Sequence, residues 1–463
     1  MTATEEHQGH VGSRRLRKED PALLTGESKF IDDLDIPGAL WMSVIRSPHA
    51  HAKITSIDLT EALASPGVVA AYTGTDLLDL WAAPLPCAWP VTEDMKNPPH
   101  YPVTPDIARY VGDAVAIVLA NSRYEAADAA TTVIVEYDVL PAVPSLEDAT
   151  ADNTQVYPDE GTNAAYTWEL IPDAAAVDQA FTDASHTVKG RYVQQRLIPA
   201  AMEPRGVAAV PSPFNGEMTM YSATQIPHIL KVMTTVTLGI PEHKLRIIAP
   251  SVGGGFGSKL DVYAEEMLCT ALANKRSVPV RWTESRSEGA LSTIHGRGQI
   301  QEIELAANSD GKISAVRVHL DADMGAYMQL LTGGVPLLGG FLYHGVYDVA
   351  NYSFACTGHF TNLPPTDAYR GAGRPEATFA IERTMDLLAR EVGIDVAEIR
   401  RRNFIPPDAF PYSSAAGLVW DSGDYAPGLE MALEAIGYEK LRDEQRRRLE
   451  ANETKLIGIG VVT

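Results

Sequence analysis

Three short stretches carry residue types whose spacing could do chemistry. Gln225 lies in "SATQIPH", four glycines and a lysine in "PSVGGGFGSK" (250–259), and Arg370 in "AYRGAGRPE" (368–376). Glycines without side chains let backbone N–H groups approach an oxyanion or a metal-oxo group, and a following helix start adds favourable partial charge. A glutamine amide can donate one further hydrogen bond, and Arg370, flanked by Gly371 and Gly373, suits a phosphate or a backbone-donated contact. The glycine stretch also mimics the phosphate-binding G-x-x-x-x-G-K-[ST] loop of nucleotide hydrolases. Ser258 stands where that motif needs glycine, and Leu260 replaces its magnesium-holding hydroxyl. Taken singly, each stretch has a plainer reading: a tight turn, a solvated glutamine, and a helix entry with Pro375 in its first turn.

The elements that must position these residues follow from hydrophobic pattern. "KLRIIAP" predicts a strand running into the glycine loop, and residues 261–274 a helix leaving it with Met267, Leu268, Ala271 and Leu272 on one side. "GEMTMYSAT" predicts the strand before Gln225, and "IPHILKVMTTVTLG" a helix stopped by Gly239. Ile381, Met385, Leu388 and Val392 mark a helix after the arginine loop, ended by Gly393. Nearer the N-terminus, "AVAIVLA", "SRYEAADAATTVI" and "VIVEYDVLP" read as strand, helix begun by Ser122, and strand stopped by Pro141. A last helix is expected near 425–447, with Asp424 as N-cap and Pro427 in its first turn. "KLIGIGVVT" reads as the start of a central strand that needs a neighbour from elsewhere.

Bulk properties narrow the class. A chain of 463 residues, 45% apolar and 21% charged, predicts several soluble globular domains, with no apolar run long enough to span a membrane. A formal net charge of -22 argues against nucleic-acid partners but not against a basic pocket for one small anion. Cys87, Cys269 and Cys356 are too few and too scattered for an iron–sulfur cluster held within this chain, and read as reduced thiols. Arg14-Arg15 has no apolar region after it, so a cytoplasmic location is expected. His49 and His51 alternate like metal ligands without a third partner, and His228 follows Gln225; packing or lining roles are expected for them, and no residue is expected to ligate a metal directly.

The ordered series "RSPHAHAKI", "RYVGDAVAIVLANSRYEAADAA", "QRLIPAAMEPRG", "ATQIPH", "APSVGGGFGSK", "VPVRWTESR", "DADMGAY", "AYRGAGRPEA" and "RRRNFI" resembles the molybdopterin-binding large subunit of the xanthine dehydrogenase, aldehyde oxidase and carbon monoxide dehydrogenase family. The likeness covers nearly all of residues 10–463. It implies a mixed α+β and α/β fold: a flexible N-terminus (1–20), an aldehyde-oxidase-type hammerhead domain (21–143), a linker (144–163) and the first half of the molybdopterin-binding domain (164–463). It also implies a molybdenum-dependent hydroxylase that oxidises an aldehyde or N-heterocycle with water as oxygen source. The cofactor would be molybdopterin, in bacteria generally the cytosine dinucleotide. Electrons would pass to 2Fe-2S and FAD centres on a small and a medium partner subunit. Residue by residue, Gln225 matches the glutamine that bonds an oxo ligand of molybdenum. Gly254, Gly255, Phe256 and Gly257 match the loop that cradles the cofactor, and Arg370 the residue whose backbone amide faces the metal's ligands.

Departures from the family pattern narrow the substrate. Leu260 stands where purine-oxidising members carry glutamate, Leu338 falls near their purine-facing arginine, and Ala372 replaces a stacking phenylalanine. These three are the expected substrate-pocket residues, and they argue against xanthine. Carbon monoxide dehydrogenases carry a copper-binding cysteine after the "AYR" arginine; here the loop reads "GAGR", although "QRLIPAAMEPRG" is close to that branch. The family's catalytic glutamate lies in a G-x-G-E context that nothing matches before Thr463, and Glu376, Glu382 and Glu398 read as structural or surface carboxylates. The resemblance thus implies no catalytic residue in this chain. The base would come from a C-terminal half or second large polypeptide, or the chain is an incomplete fragment.

Overall fold

The computed structural model describes residue 10 and residues 13–463; the expected flexible N-terminus falls largely outside the described residues. Two sheets organise the rest. The first runs, in spatial order, Leu245–Ile248, Met218–Ser222, Gly206–Pro211, Val280–Thr283, Leu40–Arg46, Ala114–Ala120 and Val68–Thr73. The second runs Ala164–Leu170, Asn351–Phe360, Ile313–Gly325, Gln299–Ala307 and His186–Gln194. A smaller sheet joins Ile107–Ala108, Ala52–Asp58 and Ile134–Val139.

The first sheet mixes strands from residues 40–120 with strands from residues 206–283, because Leu40–Arg46 pairs in parallel with Val280–Thr283. Its strand Ala114–Ala120 is buried at every position between two antiparallel neighbours, which is why "AVAIVLA" is apolar throughout. Ile117 and Leu119 enter one core and Val118, on the opposite face, packs with Ala62 and Ala129 in another. The helix Arg123–Ala130 is capped by Ser122, whose side chain accepts from the Glu125 N–H, as expected. The strands before and after that helix, however, belong to different sheets.

Other expectations require correction. The 144–163 segment is built into the second sheet's core: Val143, Leu146, Ala149, Val156 and Tyr157 are buried there, and Ser145 caps a helix over Leu146–Ala151. Its acidic, turn-rich composition hid an apolar stripe. The helix after the glycine loop begins at Ala264 rather than 261 and runs to Arg276. The last helix is two, Ala426–Ile436 and Tyr438–Glu450, because Gly437 at φ 65° breaks the hydrogen-bond ladder between them. Tyr425, not Asp424, holds the N-cap position, without a side-chain cap. "KLIGIGVVT" forms no strand; Val461 is buried and the Thr463 hydroxyl lies 2.9 Å from the Tyr347 hydroxyl. Cys269 and Cys356 are buried and Cys87 half-buried, all as free thiols. His51 Nδ1 meets the Pro141 carbonyl at 2.6 Å and His49 packs edge-on against Tyr137, as packing residues do.

Candidate active site: two glycine-rich loops at a sheet junction

Topology gathers the expected site. Met218–Ser222 and Leu245–Ile248 are parallel neighbours, so Gln225 and the glycine loop both follow strand C-termini at one end of the sheet. Gly206–Pro211 runs antiparallel to Met218–Ser222, which brings the segment before it, containing Glu203, to the same end. The arginine loop arrives from the second sheet, after Asn351–Phe360, and the Arg370 N–H donates to the Phe256 carbonyl at 2.7 Å.

Each glycine of the first loop admits a different neighbour. A Cβ on Gly253 would stand 2.5 Å from the Glu203 Cβ, one on Gly255 2.3 Å from Gln225 Oε1, and one on Gly257 only 1.9 Å from the Ala368 carbonyl oxygen. The loop was expected to need glycine for close approach to a ligand; three of its four glycines are required first by the protein's own packing. Phe256 adopts φ 55°, a left-handed conformation rare for an aromatic residue, and the residue is 44% exposed. Such strain persists only where the surroundings over-determine it.

What remains unpaired defines the chemistry. The Gly257 N–H donates to Gln225 Oε1 at 2.9 Å, which fixes the amide orientation. Gln225 is exposed, and among the described residues its Nε2 donor has no protein acceptor. The N–H groups of Gly254, Gly255 and Phe256 also find none among the described residues, and neither does that of Gly371. Consecutive free amides form a concave donor surface suited to an anionic or oxo-bearing group. The Arg370 amide, expected to face the metal's ligands, is instead committed to Phe256, because the left-handed turn at Phe256 points its carbonyl there. Its guanidinium lies exposed, 5.7 Å from the Phe256 ring centre.

Lys259 does not face the loop's mouth. Its side chain is 1% exposed and its Nζ lies 2.7 Å from Glu203 Oε2, so it cannot serve a bound nucleotide as a phosphate-binding loop lysine would. Burial pulls its ammonium below the ordinary value, and Glu203 opposes that shift. The second loop is held by Arg297, which donates to the carbonyls of Tyr369 (3.1 Å) and Arg370 (3.0 Å) and pairs with Glu376 at 3.2 Å. Glu203 and Arg297 were missed by sequence reasoning, since each acts across dozens of residues and no local spacing marks it. The "MEPRG" stretch offered the one signal, an acidic residue just before a strand.

The expected pocket residues sit close to these loops. A Cβ on Gly373 would meet the Gly339 backbone nitrogen at 2.5 Å, so the helix Gly334–Gly340, with half-buried Leu338, adjoins the loop bearing Ala372. Leu260 is half-buried at the root of the first loop, where its N–H donates to the Gly257 carbonyl at 2.8 Å. His228 is exposed in the first turn of the helix Pro227–Leu238. Glu376 and Glu382 are buried and paired with Arg297 and Arg400, while Glu398 pairs with Arg402 at the surface.

Beneath the first loop lies a buried ion cluster. Arg205 pairs with Glu265 and Glu284 at 2.8 Å each, Glu265 pairs with Arg46 at 2.7 Å, and the Arg205 guanidinium stacks 3.8 Å over Tyr263. Burial alone would raise the Glu265 carboxyl, but Arg205 and Arg46 outweigh it and hold it near about 2. The adjacent Glu266 has no such cation: burial pushes it up to about 7 against its hydrogen bonds from Ser222 and the Tyr263 N–H. At the roots of the two loops, Asp261 and Asp367 both accept from the Leu330–Thr332 segment, and burial raises both carboxyls, with mutual repulsion adding to Asp261. No group of three or more potential ligands for a metal ion occurs among the described residues, and no helix there is long and apolar enough to cross a membrane. The donor surface fits a cofactor that brings its own metal.

Comparison with known proteins agrees with this geometry. Residues 25–141 match the aldehyde oxidase and xanthine dehydrogenase a/b hammerhead domain, and residues 156–404 the molybdopterin cofactor-binding domain. The carbon monoxide dehydrogenase large chain of Hydrogenophaga pseudoflava is 36% identical over 477 residues, covering 97% of this chain and 57% of that protein. Quinoline 2-oxidoreductase from Pseudomonas putida 86 superposes with a TM-score of 0.89 at 33% identity, over 95% of this chain and 56% of that one. The nicotinate dehydrogenase large molybdopterin subunit of Eubacterium barkeri is 29% identical over 440 residues, which is 93% of this chain and 98% of that subunit. This chain therefore spans just over half the length of the first two and nearly the whole of the third. It belongs to the xanthine dehydrogenase, aldehyde oxidase and carbon monoxide dehydrogenase family of molybdenum hydroxylases, as a molybdopterin-binding large-subunit chain.

Proposed function

We propose that this chain carries the cofactor-cradling loops of a molybdenum hydroxylase acting on an aldehyde or an N-heterocycle. The observation that carries the reading is the donor surface made by Gln225 Nε2 and the free amides of Gly254, Gly255 and Phe256. When bound, the cofactor supplies two-electron redox chemistry for hydroxylating a carbon with water as the oxygen source. This chain's residues hold it: Gln225 donates to an oxygen ligand, the loop amides follow the same negative charge, and Arg370 stands ready for an anionic group of the cofactor. Molybdopterin cytosine dinucleotide is the form proposed. Leu260, Leu338 and Ala372 give the substrate pocket small or apolar walls, which suits a planar apolar substrate better than xanthine.

Glu376, Glu382 and Glu203 are each committed to a buried cation, so none of the three is proposed as the general base. Electrons leave through an iron–sulfur subunit and a flavin subunit, in the cytoplasm. A carbon monoxide dehydrogenase-like subunit is the second reading, favoured by the 36% identity to that large chain. Against it, the loop from Arg370 to Arg374 holds no cysteine, and copper in its reduced form needs such a soft ligand. Co-expression with the partner polypeptides, followed by a screen of aldehydes and N-heterocycles with an artificial electron acceptor in isotope-labelled water, tests the proposal. Label appearing in a hydroxylated product is expected. Carbon monoxide as the one substrate turned over would instead select the second reading, and no turnover with every partner present would leave an incomplete fragment.

A further inference from the structure

We propose that Glu203 is a positioning residue for the glycine loop, clamping both its ends with one carboxylate oxygen. Glu203 Oε2 accepts from the Gly253 N–H at 2.7 Å and from Lys259 Nζ at 2.7 Å, so a single atom ties together the two residues that bracket the free amides of Gly254, Gly255 and Phe256. The Glu203 N–H in turn donates to the Gly253 carbonyl at 3.2 Å, which makes the contact reciprocal. Gly253 has no alternative residue, since its Cβ would lie 2.5 Å from the Glu203 Cβ.

Packing alone does not do this work. Behind the loop lies a cavity of about 210 Å³ lined by Ala200, Ala201, Glu203, Ser258, Lys259 and Thr293. Apolar contact from that side is therefore incomplete, and the polar clamp adds to the contacts of Gly255 with Gln225 and of Gly257 with Ala368 in setting the loop's position. Among the described residues Lys259 has no other carboxylate within 4.0 Å, so the clamp is also what satisfies a buried ammonium. By fixing Gly253 and Lys259, Glu203 takes up the loop's inner N–H and leaves the outer ones to donate away from the protein. It acts through the loop and touches no reacting atom.

The relevance of the clamp to a cofactor rests on the proposed function; the clamp itself does not. Hydrogen exchange of the 250–260 segment is measured on the full chain, alone and with its co-expressed partners, for Glu203→Ala, Glu203→Gln and the exchange pair Glu203→Lys with Lys259→Glu. Glu203→Ala is expected to speed exchange of that segment at least about 10-fold while the Gly206–Pro211 strand is unchanged. Glu203→Gln keeps an acceptor oxygen for Gly253 and is expected to recover most of the protection. The exchange pair restores opposite charges but offers Gly253 no acceptor, so it is expected to stay fast. If Glu203→Ala fails to fold, the other two variants decide. Exchange within about twofold of wild type in Glu203→Ala or in the exchange pair would overturn the clamp. Molybdenum content of the co-expressed complex separates the two claims: a loosened loop with lost molybdenum supports both, and a loosened loop with molybdenum retained upholds the clamp while sinking the cofactor reading of the loop.

Discussion

The two loops that meet at the site solve one problem with opposite chemistry. Both place a non-glycine residue in left-handed backbone, Phe256 at φ 55° and Ala372 at φ 44°, and both are anchored by a charged side chain at their inner side. In the first, a carboxylate takes an N–H at the loop's start. In the second, the Arg297 guanidinium takes two carbonyls. Each device leaves backbone N–H groups pointing away from protein acceptors, and the Arg370–Phe256 hydrogen bond fastens the loops together. A surface of backbone donors thus arises beside the exposed Arg370 and Arg374 in a chain of net charge -22. The difference teaches that backbone donors can be aimed either by occupying a loop's acceptors or by fixing its end.

Breaking the second anchor has the largest expected effect. Arg297→Met leaves Glu376, 1% exposed, without its cation and strips donors from two carbonyls; a loss of about 3–5 kcal/mol is expected in chemical denaturation. Gly257→Ala attacks the junction itself, because its Cβ would stand 1.9 Å from the Ala368 oxygen at φ 104°. A loss of about 2–4 kcal/mol is expected, together with faster hydrogen exchange in both loops.

The floor of the first loop titrates, since Tyr263 links Glu266 to the Ser258 carbonyl. Burial raises Glu266 from 4.5 to about 7, so its contribution to stability is complete below pH 4.5 and is lost as pH rises through 7. Glu266→Gln is expected to flatten that decline, worth roughly 2–3 kcal/mol at neutral pH, in denaturation curves followed across the window. The smallest effect should be favourable. Ala372→Gly relieves left-handed strain and is expected to raise stability by about 1 kcal/mol without loosening Arg297's grip on the loop.

Much of this was legible because it is local. Ser122 as a cap, Gly239 and Gly393 as stops, and the strand running into the glycine loop depend on near neighbours, and the structure places them as expected. Gln225, the glycine loop and Arg370 were legible as an ordered series and do converge. The uses of the glycines were not, because Glu203, Gln225 and Ala368 approach them from other strands and another sheet. Glu203 and Arg297 escaped notice for the same physical reason: ion pairs spanning distant segments leave no periodicity. The apolar stripe running past Gly437 concealed the break there, which only the backbone conformation reveals.

The central claim is that these loops hold a molybdenum-bearing cofactor. The most direct test is the molybdenum and pterin content of the chain purified with its partner polypeptides. The account predicts stoichiometric molybdenum with a pterin in the native complex and marked loss of both in Gly257→Ala. A fully assembled complex carrying neither molybdenum nor pterin would contradict it.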